Sequence, residues 1–220
     1  MVSNCCAFLS IPIIVVGLAV AFQFAMMSGD VGEPNINVIT KSDVVEEHLS
    51  AFRDVIGSDY DGYRGHIYRC LSYSMHFLNG NETHRDVIEA ALVYHDIGLW
   101  TDSELAYLEP SAAQAQIHCK DKFTADQILL IKDIIMFHHK ITPFPGDDAH
   151  AKVVEAVRKS DWIDASMGLI TKGMSRANIK KVESSIANAG FHKTLRDFIP
   201  RLRGWNIPLG AWELAHIMRW

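Results

Sequence analysis

The sequence predicts an all-α protein: a helical domain over residues 42–220, preceded by a hydrophobic N-terminal segment and a short linker. Three observations predict this fold class. From Ser42 onward apolar residues recur at a spacing near 3.6, whereas the alternation typical of strands is scarce. Polar residues suited to capping precede several of these runs, and Thr124 with Gln127 has the spacing of a capping box. Clusters of Gly, Pro and Asn separate the runs.

The N-terminal segment is long enough to cross a membrane. Residues 7–27 carry no charge, and 21 helical residues at ~1.5 Å each span a hydrocarbon layer of roughly 30 Å. The length of this segment and the absence of Lys or Arg before it favour an uncleaved anchor over a signal peptide. We therefore expect a membrane protein, with a secreted or luminal protein after cleavage as the alternative. Residues 28–41 contain Gly, Pro and Asn and are expected to form a linker.

The helices of the domain are placed by periodicity, caps and breakers. Ser42 is the expected N-cap of the first helix, and Asn79-Gly80-Asn81 is expected to end the second. The predicted helices cover 43–57, 61–78, 83 to about 98, 125–140, 149 to beyond 161, 175–188, 191–202 and 209–218.

Composition limits the classes of partner and site. The formal net charge is −5 and no long basic run occurs, which disfavours nucleic acid as a partner. A small phosphorylated substrate remains compatible, because a pocket for it needs only two or three cations. No C-x-x-C motif is present, so a thiolate zinc site is not indicated. Cys70 and Cys119 are expected to be buried and reduced, although their pairing stays open.

Four apolar helix faces end in a His or an Asp. In the helix that runs toward His95, Ile88, Ala91 and Leu92 precede it with the spacing of one buried stripe. The same spacing aligns a polar residue with apolar neighbours on three other helices. The four residues in these positions are His66, His95, His138 and Asp161.

Such inward-facing groups need partners. Burying an unpaired carboxylate costs several kcal/mol, and an unsatisfied imidazole costs roughly 1–3 kcal/mol. A divalent cation satisfies both types at once. His95 and Asp96 lie about 100° apart on a helix, so both reach one ion only at a helix end, which Gly98 is expected to supply. The alternative is that each residue is a separate, hydrogen-bonded core residue.

These residues resemble the pattern of the HD superfamily of metal-dependent phosphohydrolases. That pattern is a His, a later His-Asp doublet and a distant Asp, found here as His66 in YRGHIYRC, His95-Asp96 in ALVYHDIGLW and Asp161 in RKSDWID. The similarity covers about residues 61–170. The segment HDIGLWTDSELAYLEPSAAQA is similar to a subgroup of small, uncharacterised HD proteins.

The resemblance implies a helical bundle with a metal site between its helices. It implies that one divalent ion (Mn, Fe, Co, Ni, Zn or Mg) is held by His66, His95, Asp96 and Asp161. His138-His139 corresponds to a His-His pair found in several subgroups. Two-metal members carry a further His between the doublet and that pair. His118 lies in this interval without matching the usual placement, so one metal is favoured, and two metals with His118 and His138 are the alternative.

The implied activity is metal-dependent hydrolysis of a phosphate ester or nucleotide-like small molecule. In this mechanism Asp96 both ligates the metal and orients water, while His138 or His139 contacts substrate or donates a proton. Arg64 and Lys140 are the predicted substrate contacts, with Arg69 as a further candidate. Asp164 is either a partner of the metal ligands or a surface residue. The competing hypotheses are a hydratase, a di-iron oxygenase, and a non-catalytic module that a metal stabilises.

Overall fold

The computed structural model describes residues 35–203 and 206–217. The predicted membrane segment, residues 7–27, and residues 28–34 of the predicted linker lie outside the described residues. Within the described part of the chain all regular structure is helical, which confirms the predicted all-α class. Among the described residues, no helix is both long enough and apolar enough to span a membrane.

Eleven helices, named α1 to α11 in chain order, make up the described part of the domain, with single 3-10 turns at Gly57–Asp59 and Glu82–His84. Their bounds are α1 Asp43–Ser50, α2 Arg53–Ile56, α3 Tyr60–Phe77, α4 Arg85–Tyr94, α5 Gly98–Thr101, α6 Leu108–Cys119, α7 Ala125–Phe137, α8 Ala149–Ala165, α9 Arg176–Ser185, α10 Phe191–Arg203 and α11 Ile207–Ile217.

Local chemistry explains where the helices start. The Ser42 hydroxyl accepts from the backbone N–H of Val45, as expected of an N-cap. Thr124 and Gln127 form both bonds of the predicted capping box. The first predicted helix differs, because the chain turns at residues 51–52 and divides it into α1 and α2.

The helix α6 is absent from the sequence prediction. Its buried face consists mostly of small residues, Ser111, Ala112, Ala115 and Cys119, which give a weak apolar signal. Pro110 also lies in its first turn, where the missing N–H costs no helical hydrogen bond. Residues 108–119 therefore carry little sequence signal for the three helical turns that the structure shows.

Gly98 allows α6 to approach closely. A Cβ at this position would lie 2.5 Å from the carbonyl oxygen of Tyr107, and the Gly98 N–H donates to Ser111 Oγ at 2.9 Å. The sequence predicts Gly98 only as a helix end. The structure shows in addition that it begins α5 and provides the contact surface for α6.

The helices α3 and α8 pack against each other at the centre of the domain. Next to them, α4 contacts α1, α3, α6 and α7, and α7 also contacts α8. The stripes that end at His95, His138 and Asp161 are buried in this core, as predicted. Each inward-facing polar residue therefore lies where several helices meet.

The sequence predicts a linker that extends to residue 41, but in the structure residues 36–41 belong to the domain. The compact unit begins at Ile36, whose side chain is buried and whose N–H donates to Asn178 Oδ1 at 3.0 Å. Ile39 is also buried, and its N–H donates to Ser72 Oγ at 3.0 Å. The two buried isoleucines hold this segment on the core, and the Gly and Asn content around them obscured that role in the sequence.

Candidate metal centre

Three elements bring the predicted ligands together. His66 lies in the middle of α3, Asp161 lies near the end of α8, and His95 with Asp96 follow directly after α4. Because α4 ends at Tyr94, the two doublet residues occupy a turn and can face the same point. The sequence predicts such a helix end, and the structure confirms it.

The four ligand candidates converge within the core, where all of them are buried. His66 Nε2 lies 2.9 Å from His95 Nε2 and 3.4 Å from Asp161 Oδ1. Asp96 Oδ2 lies 3.3 Å from His95 Nε2 and 3.7 Å from His66 Nε2. His95 Nε2 and Asp161 Oδ1 are 3.8 Å apart. One oxygen of Asp96 and one of Asp161 therefore each lie within 3.8 Å of both Nε2 atoms.

Hydrogen bonds at the outer ring nitrogens define the tautomers. His95 Nδ1 lies 2.6 Å from the carbonyl oxygen of Leu92, which can only accept, so the proton is on Nδ1. His66 Nδ1 lies 2.7 Å from the Asp164 carboxylate and is the donor there for the same reason. In the neutral rings both Nε2 atoms then present lone pairs to each other and to two carboxylates. Four acceptors without a donor repel one another unless a cation lies among them.

The arrangement fits a divalent ion. Ligands at ~2.1 Å from one ion lie ~3.0–3.4 Å apart for octahedral or tetrahedral angles, close to the separations found here. Two imidazoles with two carboxylates suit Mn, Fe, Co, Ni and Zn, whereas Mg prefers oxygen ligands and water. His66, His95 and Asp96 can therefore hold a metal ion, with Asp161 Oδ1 close to both imidazoles.

The cluster also perturbs its own protonation. Burial by itself would raise the pKa of Asp96 and Asp161, but the neighbouring histidines hold both well below their usual range. Burial would lower the pKa of His66, yet hydrogen bonds to the carboxylates of Asp161 and Asp164 raise it well above its ordinary value. Without a bound metal, His66 therefore holds a proton more readily than an ordinary imidazole does, and metal binding has to displace it.

Asp164 and Arg69 support His66 from behind. Arg69 donates from Nε to Asp164 Oδ1 at 2.5 Å and from the guanidinium to Asp164 Oδ2 at 2.8 Å. Asp164 in turn accepts from His66 Nδ1, which orients the ring and makes it a better ligand. Both residues are buried. The sequence does not decide whether Asp164 is buried, and it makes Arg69 a candidate phosphate contact. In the structure the two side chains form an ion pair with each other.

A second group of ligand atoms lies beside the first. His138 Nδ1 is bound to the carbonyl oxygen of Ile135 at 2.7 Å, so its Nε2 is unprotonated and faces Asp96 Oδ1 at 3.3 Å. Burial lowers the pKa of His138 to about 4, which keeps the ring neutral. Neither Asp96 Oδ1 nor His138 Nε2 has a hydrogen-bond partner among the described residues. With His139 they form another set of groups that can hold an ion.

His139 is the partly exposed member of the cluster. Its Nδ1 lies 3.1 Å from Asp161 Oδ2, and the Tyr107 hydroxyl contacts its Nε2. Burial opposes protonation, but the charge of Asp161 and a hydrogen bond to it raise the pKa of His139 above its usual value. His139 is therefore placed to hold a proton next to the ligand set.

Three sequence-predicted residues lie apart from these contacts. Arg64 pairs with Glu46, with its NH2 2.6 Å from Oε1, and stacks on Tyr68, so its guanidinium is occupied. Lys140 follows His139 directly and places its ammonium group over the ring of Phe137. His118 is exposed and packs against Phe52 and Tyr94. The structure thus gives the second ligand set to His138 and His139 instead of to His118.

The sequence analysis did not identify Tyr107, Phe191 and His192 as neighbours of the site. Phe191 stacks on His66 with ring centroids 4.1 Å apart, and His192 Nε2 contacts the Asp164 carbonyl at 2.6 Å. Gly65, next to His66, lets the segment that precedes Phe191 approach α3, because a Cβ there would lie 2.6 Å from the Ala187 carbonyl oxygen. No local pattern marks these residues, but a glycine beside a ligand indicates that another segment packs there.

The two cysteines of the domain are buried and free. Cys70 Sγ lies 3.6 Å from His66 Nδ1, and burial raises the pKa of this thiol to about 12. It therefore stays protonated beside the cluster.

Comparisons with known proteins identify no relative of this chain: no family model matches it, and no curated protein or solved structure matches it either.

Proposed function

We propose that this chain is a metal-dependent hydrolase of the HD type that acts on a small phosphate ester or a nucleotide-like molecule. The observation that carries the proposal is the convergence of His66, His95, Asp96 and Asp161, whose four facing atoms include no donor when both rings are neutral. A hydrogen-bonded core cluster would pair donors with acceptors, so this one is suited to a cation.

The proposed roles follow from the contacts. His66, His95, Asp96 and Asp161 bind the ion, and Asp164 orients His66. When bound, the ion supplies Lewis-acid chemistry that polarises an oxygen of water or substrate. His139 holds a proton against Asp161 and can deliver it to a leaving-group oxygen.

The position of the site suits small substrates. The four ligands are buried and His139 is the partly exposed member, so substrate approaches on the side of His139. Lys140 follows it in the chain and is the predicted cation for a phosphate group. Arg64 is less suited to this role because Glu46 already neutralises it.

The reaction class is tested by assaying the 220-residue chain. It is loaded separately with Mn²⁺, Fe²⁺, Co²⁺, Ni²⁺ and Zn²⁺ and given p-nitrophenyl phosphate, bis-p-nitrophenyl phosphate and a panel of nucleotides. We expect metal-dependent release of nitrophenol or phosphate. Replacing His139 with Gln should lower kcat by roughly 10²–10⁴-fold while metal content stays unchanged.

Lys132→Gln is the matched control for Lys140→Gln, because both lysines belong to the α7 region and Lys132 lies outside the cluster. We expect the Lys140 variant to raise KM and the control to leave it unchanged. A metal-loaded chain that hydrolyses none of these compounds would contradict the proposed hydrolysis and favour a metal-stabilised module.

A second candidate is a reaction that uses two metals, including an oxygenase. The observation that favours it is the pair of unpartnered atoms, Asp96 Oδ1 and His138 Nε2, which face each other at 3.3 Å. Metal analysis distinguishes the two: about two ions per chain, reduced to about one by His138→Ala, would support a paired site.

Membrane attachment through residues 7–27 is also part of the proposal, on the evidence of the uncharged sequence alone. Fractionation of cells that produce the 220-residue chain tests it. Recovery in the membrane fraction after a carbonate wash is expected, and release by that wash would contradict an anchor.

A further inference from the structure

A cleft separate from the metal cluster lies between the C-terminal end of α3 and the N-terminal half of α8. Its volume is about 700 Å³, within the range of small-molecule sites. Phe77, Leu78 and Phe144 supply apolar surface, and the segment 79–84 supplies polar groups. None of the four proposed metal ligands, nor His138 or His139, lines it.

The lysines and the glutamate that line the cleft give it a net positive charge. Lys152 is exposed, and its ammonium group has no hydrogen bond or ion pair with any described residue. Lys159 lies two turns further along the same face of α8, with its ammonium 5.3 Å from the centre of the Phe77 ring. Glu155 is the acidic residue of the lining.

Glu155 does not neutralise these lysines. Its two carboxylate oxygens accept from Arg158 at 2.6 and 2.7 Å, and the Phe144 N–H donates to it at 3.1 Å. Lys159 approaches it only to 3.9 Å. Its charge is therefore satisfied by Arg158, and the two lysines remain available to an anion.

We propose that this cleft binds a small organic anion: an apolar body of aromatic size against Phe77 and Phe144, with its acidic group between Lys152 and Lys159. The two lysines are seven residues apart, about 10 Å along the helix, and their long side chains can converge on one acidic group. The apolar surface gives affinity, and the paired cations select a charged ligand over a neutral one.

Isothermal titration calorimetry on the 220-residue chain tests the proposal with 1-naphthalenesulfonate. We expect saturable binding with a dissociation constant below ~1 mM. Neutral 1-naphthalenemethanol should bind roughly tenfold more weakly, and inorganic sulfate should show no saturable binding. Absence of saturable naphthalenesulfonate binding, or equal affinity for the neutral compound, would overturn the proposal.

Variants of the lining then test whether naphthalenesulfonate binds in this cleft. Lys152→Glu with Lys159→Glu should weaken binding at least roughly tenfold, and Ala149→Trp should block it, since Ala149 is an exposed residue of the lining. Lys132→Glu is the matched control, because it is an exposed lysine beside a different cleft. Asp96→Asn should leave binding intact. Loss of binding in either of the last two variants, or retention in the first two, would overturn the proposal.

Discussion

Two pairs of buried side chains show what separates a core histidine from a metal ligand. His48 is buried, and its Nδ1 lies 2.7 Å from the Tyr94 hydroxyl, which can donate to it. His66 and His95 are equally buried, but their Nε2 atoms face each other at 2.9 Å. In the first pair a donor meets an acceptor, and in the second acceptor meets acceptor. Burial is common to both, but only the second pair requires a positive charge between its atoms, from a metal ion or from a proton that the metal displaces.

The largest expected difference is in metal content, when one histidine of each pair is replaced by alanine. His95→Ala removes a ligand, and we expect metal content to fall at least roughly tenfold from about one ion per chain. His48→Ala removes an ordinary hydrogen bond and should cost about 1–3 kcal/mol of stability while metal content is unchanged. Elemental analysis and thermal unfolding of both variants measure this. Equal loss of metal in the two variants would show that His95 is not a metal ligand.

Removing the metal should destabilise only those chains whose His66–His95 pair is intact. At a free ion concentration 1,000 times the dissociation constant, binding stabilises the folded chain by about 4 kcal/mol, which corresponds to roughly 8–16 °C in Tm. Chelation should therefore lower the Tm of the parent chain and of the His48 variant alike. The His95 variant should not respond, and a response of similar size there would place the stabilising ion elsewhere.

The contacts behind His66 should matter next. Arg69→Met leaves Asp164 without its cation and should weaken metal binding roughly 10–100-fold. Arg158→Met is the matched control, because Arg158 is an equally buried arginine that holds Glu155 near the middle of α8, away from the ligands. Both variants should lose stability, but only the first should lose affinity in a metal titration. Partial recovery by Arg69→Lys would support a positioning role, and equal affinity in both methionine variants would contradict it.

The smallest expected effect is the pH dependence of metal affinity, which reports the protons released on binding. Because the neighbours of His66 raise its pKa, the metal-free ring carries a proton near neutral pH, and metal binding must displace it. Affinity should therefore fall as pH decreases, by up to about tenfold per unit for one proton. Calorimetry in two buffers of different ionisation enthalpy counts the protons released. Binding that releases none would show that the metal occupies another site.

Periodicity predicted much of the fold and the inward positions of His66, His95, His138 and Asp161, because both depend on which helix face is buried. The choice of Asp96 as a ligand came from the resemblance to the HD pattern instead. The stripes that end at His95 and Asp161 are buried as predicted. The helix α6 escaped prediction since its core face is built from small residues, and residues 36–41 escaped because an extended segment has no helical period.

The surroundings of the site could not be predicted in the same way. Whether Asp164 faces His66 or solvent depends on how α8 packs on α3, and the contact of His192 with Asp164 joins residues 28 positions apart. Arg64 and Arg69 differ by five positions, yet one pairs with Glu46 near the surface and the other with Asp164 in the core. Such partners are set by tertiary packing.

The most direct test of the central claim is anomalous diffraction from crystals of the metal-loaded chain, recorded above and below the absorption edge of the bound ion. We predict an anomalous peak within ~2.0–2.3 Å of His66 Nε2, His95 Nε2, Asp96 Oδ2 and Asp161 Oδ1. Clear density for a water molecule among these atoms without an anomalous signal, or a peak at other residues, would contradict the account.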